Sequence, residues 1–282
     1  MTAQNNFVGV DIGGTKMHML AVHNGAYIDQ RVPTGRGCTA EELQSHIDTF
    51  IAGLPFTPSG IGMAVPGLVE NDNKIIVSNP LPKLAGVDNT FFSRNKYPVA
   101  FLNDVAAATV AEAAHHKDAH TVLVILVGTY IGMGVCVNGE LLLGSRGWGN
   151  DLGYHVINTS QGVQRVNDIC GGAAILQQAA CDASTLTEKL QKSDEEARKI
   201  IKSAATFFGY ALSNALHLYN PDVVVIGGGT AMYDGYTETA LAAAKQQTLT
   251  PHFECCTFTA PHDPVRVGAL GAMTFAAQKY SV

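Results

Sequence analysis

Apolar positions change period repeatedly along the chain. Phe7 to Asp11 is a short apolar run that stops at Gly13-Gly14 and resumes over Lys16 to Val22. A strand, a glycine turn and a second strand predict a hairpin. A third strand is expected over Tyr27 to Val32. Over Ala40 to Ala52 the spacing of Leu43, Ile47 and Ile51 becomes helical, and Thr39 with Glu42 three residues on is a capping-box pattern. Strands follow at Gly60 to Val65, Ile75 to Ser78 and Val99 to Leu102, and an alanine-rich helix at Val105 to Ala114.

The second half restarts in the same way. Strand Val122 to Val127 enters a glycine turn, Gly128 to Gly134, and strands follow at Val135 to Val137 and Glu140 to Leu143. Helices are expected over Gly172 to Cys181, Thr185 to Lys192, Asp194 to Leu218 and Tyr236 to Gln247, with strands at Asp222 to Ile226 and Phe253 to Phe258. A last helix covers Gly268 to Gln278. Each half thus opens on strand, glycine turn, strand, and duplication of an α/β unit is the simplest organisation. The polar stretch His115 to Ala119 marks the boundary. This predicts one lobe over 1–115, with the final helix 268–282 packing back on it, and a second over 116–267.

Composition narrows the class. With 282 residues, 46% hydrophobic and 15% charged, the chain is too apolar for intrinsic disorder and long enough for about two domains. A net charge of −6 argues against general binding of a nucleic-acid backbone, and no apolar run approaches a membrane span. The six cysteines form no C-x-x-C pair. They read as reduced thiols of a cytoplasmic protein, not a disulfide framework. The twenty-nine glycines matter more, because several cluster in turns after strands, where backbone N–H groups can cradle an anion.

Three such turns stand out. In Asp11-Ile12-Gly13-Gly14-Thr15-Lys16, Gly13 and Gly14 expose backbone, Thr15 adds a hydroxyl, Lys16 a cation, and Asp11 can hold a hydrated metal. The spacing is not that of a Walker loop. Gly128, Thr129, Gly132 and Gly134 repeat this chemistry, and Gly227-Gly228-Gly229 follows a third strand end. Ligands in α/β folds sit at such strand ends. Asn103-Asp104 ends one strand and opens a helix. Both are good N-caps, and Asp104 can also take a proton from an attacking hydroxyl. His115, His116 and His120 read as solvated surface; Trp148 is either buried or a platform for a sugar face.

These residues resemble the ROK family (repressors, open reading frames and sugar kinases) of the actin-like ATPase superfamily. Asp11 to Lys16 looks like its first phosphate motif, and Gly128 to Gly134 its second. Val65-Pro66-Gly67-Leu68-Val69 and Asn79-Pro80-Leu81-Pro82 are similar to its sugar-side signatures. Asn103 to Ala108 with Glu112 resembles the catalytic helix start, Asn220 to Gly229 the adenosine region, and Gly268 to Ala272 the final helix. The resemblance implies an α/β, two-lobed actin-like, ribonuclease H-like fold with duplicated domains. It implies ATP-dependent phosphorylation, with Mg²⁺, of a hydroxyl on a hexose or N-acyl hexosamine of the glucose, N-acetylmannosamine or β-glucoside type. Asp104 is then the general base, and Gly67, Asn79 and Asn103 face the sugar. A homodimer is also suggested.

The chain departs from the family pattern at one place. Where the family carries Gly-Glu-x-Gly-His, this chain has Asn150-Asp151-Leu152-Gly153-Tyr154. Asp151 keeps a carboxylate, and Tyr154 replaces the histidine that binds sugar and zinc. No cysteine occurs between Asn158 and Asn167, and Asn167 stands at the family's sugar-binding glutamate. Cys170 alone cannot build a tetrahedral site, so no structural zinc is expected. Two rivals remain. A sugar-responsive repressor would need a helix-turn-helix ahead of the first strand, which opens near Phe7. A non-catalytic sugar or nucleotide sensor could keep the fold, but Asp104 and Lys16 speak against it.

Overall fold

A computed structural model describes residues 6–94 and 96–281. The chain divides into two compact units, one of Met1–His115, Leu141–Gly149 and Val265–Val282, the other of His116–Glu140 and Asn150–Pro264.

In chain order the first unit contains β1 (Phe7–Ile12), β2 (Lys16–His23), β3 (Ala26–Pro33), α1 (Ala40–Ala52), β4 (Gly60–Val65), β5 (Leu68–Glu70), β6 (Lys74–Val77), α2 (Asn89–Ser93), β7 (Val99–Asn103) and α3 (Asp104–Ala113). Its sheet has the order β3-β2-β1-β4-β7. β1 pairs antiparallel with β2 and parallel with β4, and β4 is parallel to β7. The strands β1, β4 and β7 are apolar on both faces because both are covered, as parallel strands require. α1 starts with the expected capping box, in which Thr39 and Glu42 satisfy each other's backbone N–H groups.

The second unit repeats the plan. It holds β8 (Thr121–Val127), β9 (Ile131–Val137), β10 (Glu140–Leu141, whose Leu141 is grouped with the first unit), β11 (Val156–Thr159), β12 (Gly162–Arg165), α4 (Val166–Cys170), α5 (Gly172–Ala179), α6 (Ala183–Gln191), α7 (Glu195–Tyr219), β13 (Val223–Gly227), α8 (Tyr236–Gln247), α9 (Thr250–Glu254) and β14 (Thr257–Thr259). The sheet order, β10-β9-β8-β13-β14, mirrors the first. Again the opening hairpin is antiparallel and the next two strands run parallel to it. α7 is the long amphipathic helix that the pattern predicts. It buries Ala204, Phe208, Leu212 and Leu216 against the sheet residues Leu123, Ile125 and Val224.

The last helix, α10 (Val267–Tyr280), belongs to the first unit. It packs there backbone to backbone. A Cβ on Gly9 of β1 would lie 2.0 Å from the Ala269 carbonyl oxygen, and one on Gly271 would lie 1.7 Å from that of Ala107 in α3. Only glycine allows these approaches.

Three expectations change. Phe253 to Phe258 is not one strand: α9 ends at Glu254, and β14 is confined to Thr257–Thr259. Pro251 sits in the first turn of α9, where its missing N–H costs nothing. The turn after β8 is only Gly128 to Tyr130, so Gly132 and Gly134 lie inside β9, paired with Leu126 and Val124. The segment Leu141–Gly149 belongs to the first unit, although the sequence places it in the second lobe. Leu141 and Leu143 pack on Ala64, Leu102 and Ala106. Arg146 pairs with Glu70 at 3.0 Å, and its carbonyl accepts from the Asn71 N–H.

Candidate functional site

The polar residues of the first unit converge where β1 and β7 end. Asn103 is the N-cap of α3, its Oδ1 accepting from Val105 N (2.9 Å) and Ala106 N (3.4 Å). Its Nδ2 donates to the Gly67 carbonyl at 2.8 Å. Capping therefore uses the oxygen and Gly67 uses one N–H, while the side-chain amide also hydrogen-bonds the Asp104 carboxylate and draws its proton affinity down. Gly67 has φ +122°, and a Cβ there would strike the Val77 carbonyl oxygen at 2.1 Å. That conformation turns its carbonyl towards Asn103.

Asp104 follows at the first position of α3, and its Oδ1 accepts from the Val105 N–H at 2.9 Å. Burial lifts its carboxyl from 3.8 to about 6, against the pull of the Val105 N–H. Asp11, near the end of β1, is lifted further, to about 7, first by burial, then by the Asp104 charge, with Lys16 pulling the other way. Asp11 is thus a carboxylate whose proton affinity is raised by a second carboxylate close by, at a place short of positive charge. Carboxylate oxygens are the ligands that a hard divalent cation takes, and Asp11 could offer them here.

The glycine turn beside them is closed by Gly13 N–H to Lys16 O (2.8 Å) and held from outside by Thr34, whose hydroxyl donates to Gly13 O at 2.7 Å. Thr15 and Lys16 stay exposed at its tip. A Cβ on Gly14 would come within 3.0 Å of Pro80, so this turn and the Asn79-Pro80 segment lie side by side. Asn79 is exposed, and its carbonyl accepts from Arg36 Nη1 at 3.0 Å. Sequence reasoning did not single out Arg36. Its only signal is a cation between two glycines.

The second unit has its own constellation. Gly128 O accepts from Gly172 N (2.8 Å) and the Thr230 hydroxyl (3.0 Å), and Thr129 O accepts from Ala173 N (3.1 Å). The turn after β8 is thereby docked on the start of α5 and on the Gly227-Gly228-Gly229 loop. Gly228 takes φ +97° there, while Gly227 is still strand. Beyond Gly229 opens a groove of about 540 Å³. It is lined on one side by Leu190, Gln191 and Arg198, and on the other by Met232, Tyr233 and Asp234. No periodic signal in the chain marks these residues.

Asp151, Tyr154 and Asn167 also lie in this unit, with altered roles. The Asn167 side-chain oxygen accepts from the Ile131 N–H at 2.7 Å, and its amide fills the space where a Cβ on Gly153 would be. Asn167 therefore braces the start of β9. Tyr154 is half-exposed, with the Arg165 guanidinium 5.3 Å above its ring. Asp151 is exposed, and partial burial raises its carboxyl, with His155 pulling it down. His116 differs from its expected solvated state, since its ring packs edge-on to His262 at 5.2 Å. Cys170 is fully buried in the core, and burial pushes its thiol far up.

The ROK family profile matches residues 7–279. The chain belongs to the ROK family. Among ROK relatives, the N-acetylmannosamine kinase of Salmonella typhi is 27% identical over 289 residues, covering 95% of this chain and 97% of that protein. The ROK hexokinase of Thermus thermophilus superposes with a TM-score of 0.84 at 24% identity, over 98% of this chain and 99% of that one. A Streptomyces griseus ROK glucokinase solved with glucose and AMPPNP gives 0.79 at 20% identity, over 96% and 99%. The two mirrored sheets are thus the duplicated α/β domains of the actin-like ATPase fold.

Proposed function

We propose that this ROK protein is an ATP-dependent sugar kinase that phosphorylates a hydroxyl of a hexose or N-acyl hexosamine, with Asp104 as general base. The observation that carries the reading is the Asp104 carboxylate. It is half-buried, fixed by the Val105 N–H at the start of α3, and lifted by desolvation to about 6 beside the Asn103 amide. A base tuned there is ionised at neutral pH yet still takes a proton readily. The N-acetylmannosamine kinase relatives favour an N-acyl hexosamine as the first sugar to try.

In this reading the Asn103 amide, which bonds the Asp104 carboxylate, and the Asn79 segment orient the sugar. Asp104 accepts the proton of the attacking hydroxyl as the new O–P bond forms. In the first unit, the Gly13–Lys16 turn takes phosphate oxygens, with Lys16 countering their charge. Mg²⁺ held at Asp11 supplies charge neutralisation on the phosphates when the nucleotide is bound. In the second unit, the Gly128–Tyr130 turn and Gly228-Gly229 offer backbone to phosphate and ribose. The groove beyond has apolar walls at Leu190 and Met232, which suit an adenine ring. Asp151 and Tyr154 remain available to sugar hydroxyls, while Asn167 acts indirectly by holding Ile131.

The test is ADP formation with Mg²⁺ across hexoses, N-acyl hexosamines and β-glucosides. Turnover stimulated by one sugar is expected. ATP binding with no turnover on any sugar would overturn the kinase reading in favour of a sensor. The pH profile is a sharper check. kcat should rise with pH through about 6 as Asp104 ionises, and then level off. A kcat that is flat from pH 5 to 8 would remove Asp104 from the role of base. The chain should also carry no structural zinc, since Cys170 is core and no cysteine occurs between Asn158 and Asn167. Elemental analysis returning one zinc per chain would contradict this.

A further inference from the structure

Asp11 sits on a crowded face. In the β1–β2 ladder Asp11 stands directly opposite His18, and Gly9 opposite Leu20. Opposed residues of an antiparallel pair share a face, and so do residues two apart on one strand. Gly9, Asp11 and His18 therefore face the same side, and α10 covers it, with its Ala269 carbonyl against Gly9. The first turn of α10 reaches the carboxylate itself: a Cβ on Gly268 would lie 2.6 Å from Asp11 Oδ2.

The start of this helix is held in an unusual way. No side chain caps it, and its N-cap residue is Arg266. The Arg266 carbonyl accepts the Leu270 N–H at 2.8 Å, while its side chain reaches the edge strand β3. There Nε donates to Asp29 Oδ2 at 3.2 Å, and the guanidinium lies 5.0 Å from the centre of the Tyr27 ring. Asp29 Oδ2 is also 3.7 Å from Nε2 of His18, which is only 3% exposed. Asp29 thus stands between the start of α10 and the buried imidazole opposite Asp11.

We infer that Arg266 and Asp29 are positioning residues. Their ion pair fixes the first turn of α10, and with it the Asp11 carboxylate, in the orientation that receives the nucleotide-bound divalent cation. This rests on the proposed role of Asp11. The pair is about one-third exposed at each side chain, and such pairs add little to stability. The helix does not need it to stay docked, because the contacts at Gly9 and Gly271 hold it already. What the pair adds is direction at the end of the helix that touches Asp11. Direct partners of a metal-holding carboxylate change metal affinity by about tenfold or more when they are removed, and this pair, which reaches Asp11 through the Gly268 turn, belongs at the low end of that range.

The experiment uses Arg266→Gln, Asp29→Asn, the double variant and Arg266→Lys. The Mg²⁺ dependence of the thermal shift at saturating ADP is one readout, and amide exchange at Leu270 is the other. Each single variant should raise the half-saturating Mg²⁺ roughly 10-fold, with faster exchange at Leu270. The double variant should be no worse than either single, and Arg266→Lys should recover most of the affinity. The ligand-free melting temperature should move by less than about 4 °C. An unchanged Mg²⁺ midpoint in both single variants would overturn the inference, as would a large ligand-free destabilisation that lysine does not rescue. A wild-type protein with no Mg²⁺-dependent shift would instead overturn the role of Asp11. Leu270 exchange would still report whether Arg266 anchors the helix.

Discussion

Replacing Asp104 with asparagine is expected to lower kcat by about three orders of magnitude while leaving the sugar KM nearly unchanged. Asparagine keeps the shape and can still accept the Val105 N–H through its side-chain oxygen, so the start of α3 stays intact. What it loses is the ability to take the hydroxyl proton. The same substitution should make the ligand-free protein more stable at pH 8. The Asp104 carboxyl is lifted from 3.8 to about 6 on folding, so the folded chain binds its proton more tightly than the unfolded chain. That destabilises the fold as pH rises from 3.8 to about 6, and the full cost persists above. Removing the charge should return about 3 kcal/mol at pH 8, and nothing below pH 3.8. Kinetics together with urea denaturation at pH 8 and pH 4 check both halves. A variant with near-normal turnover would remove the base assignment, and one that is unstable at pH 8 would refute the burial argument.

The second large effect falls on folding. Gly271→Val puts a branched side chain where a single Cβ would already lie 1.7 Å from the Ala107 carbonyl oxygen. Backbone cannot yield as a flexible side chain does, so α10 must lift from α3. The expected loss is at least about 3 kcal/mol, read as a lower urea midpoint or as insoluble protein. Activity should fall with it, because α10 runs from Asp11 to the helix that carries Asp104. A midpoint within experimental scatter of wild type would mean that this close packing does not hold the unit together.

Much of this was legible in the sequence because the signals were local. Thr39 and Glu42 announce α1 through a reciprocal cap that needs no tertiary contact. Asn103 and Asp104 announce both a helix start and a chemical group, since short polar side chains after an apolar strand suit both. The family resemblance added the order of the motifs, and the duplicated sheets bear out the fold it implied.

What was not legible depends on distant packing. Gly132 and Gly134 look like turn residues, yet pairing with β8 draws them into a strand. Phe253 and Phe258 suggest a β run, but Pro251 starts a helical turn that ends before Thr257. The docking of Leu141–Gly149 on the first unit depends on Ala64, Leu102 and Glu70, far away in the chain. Asn167 stands where a sugar ligand is expected, and only its bond to the Ile131 N–H reveals a bracing role. The walls of the groove beyond Gly229 come from α6, α7 and the loop before α8, whose residues share no period.

The most direct test of the account is to follow ATP, Mg²⁺ and the best sugar of the panel by phosphorus NMR, beginning with N-acetylmannosamine. A new sugar phosphate monoester appearing in equal amount with ADP is the predicted result. ADP appearing with inorganic phosphate alone, or ATP left intact with the sugar bound, would contradict it.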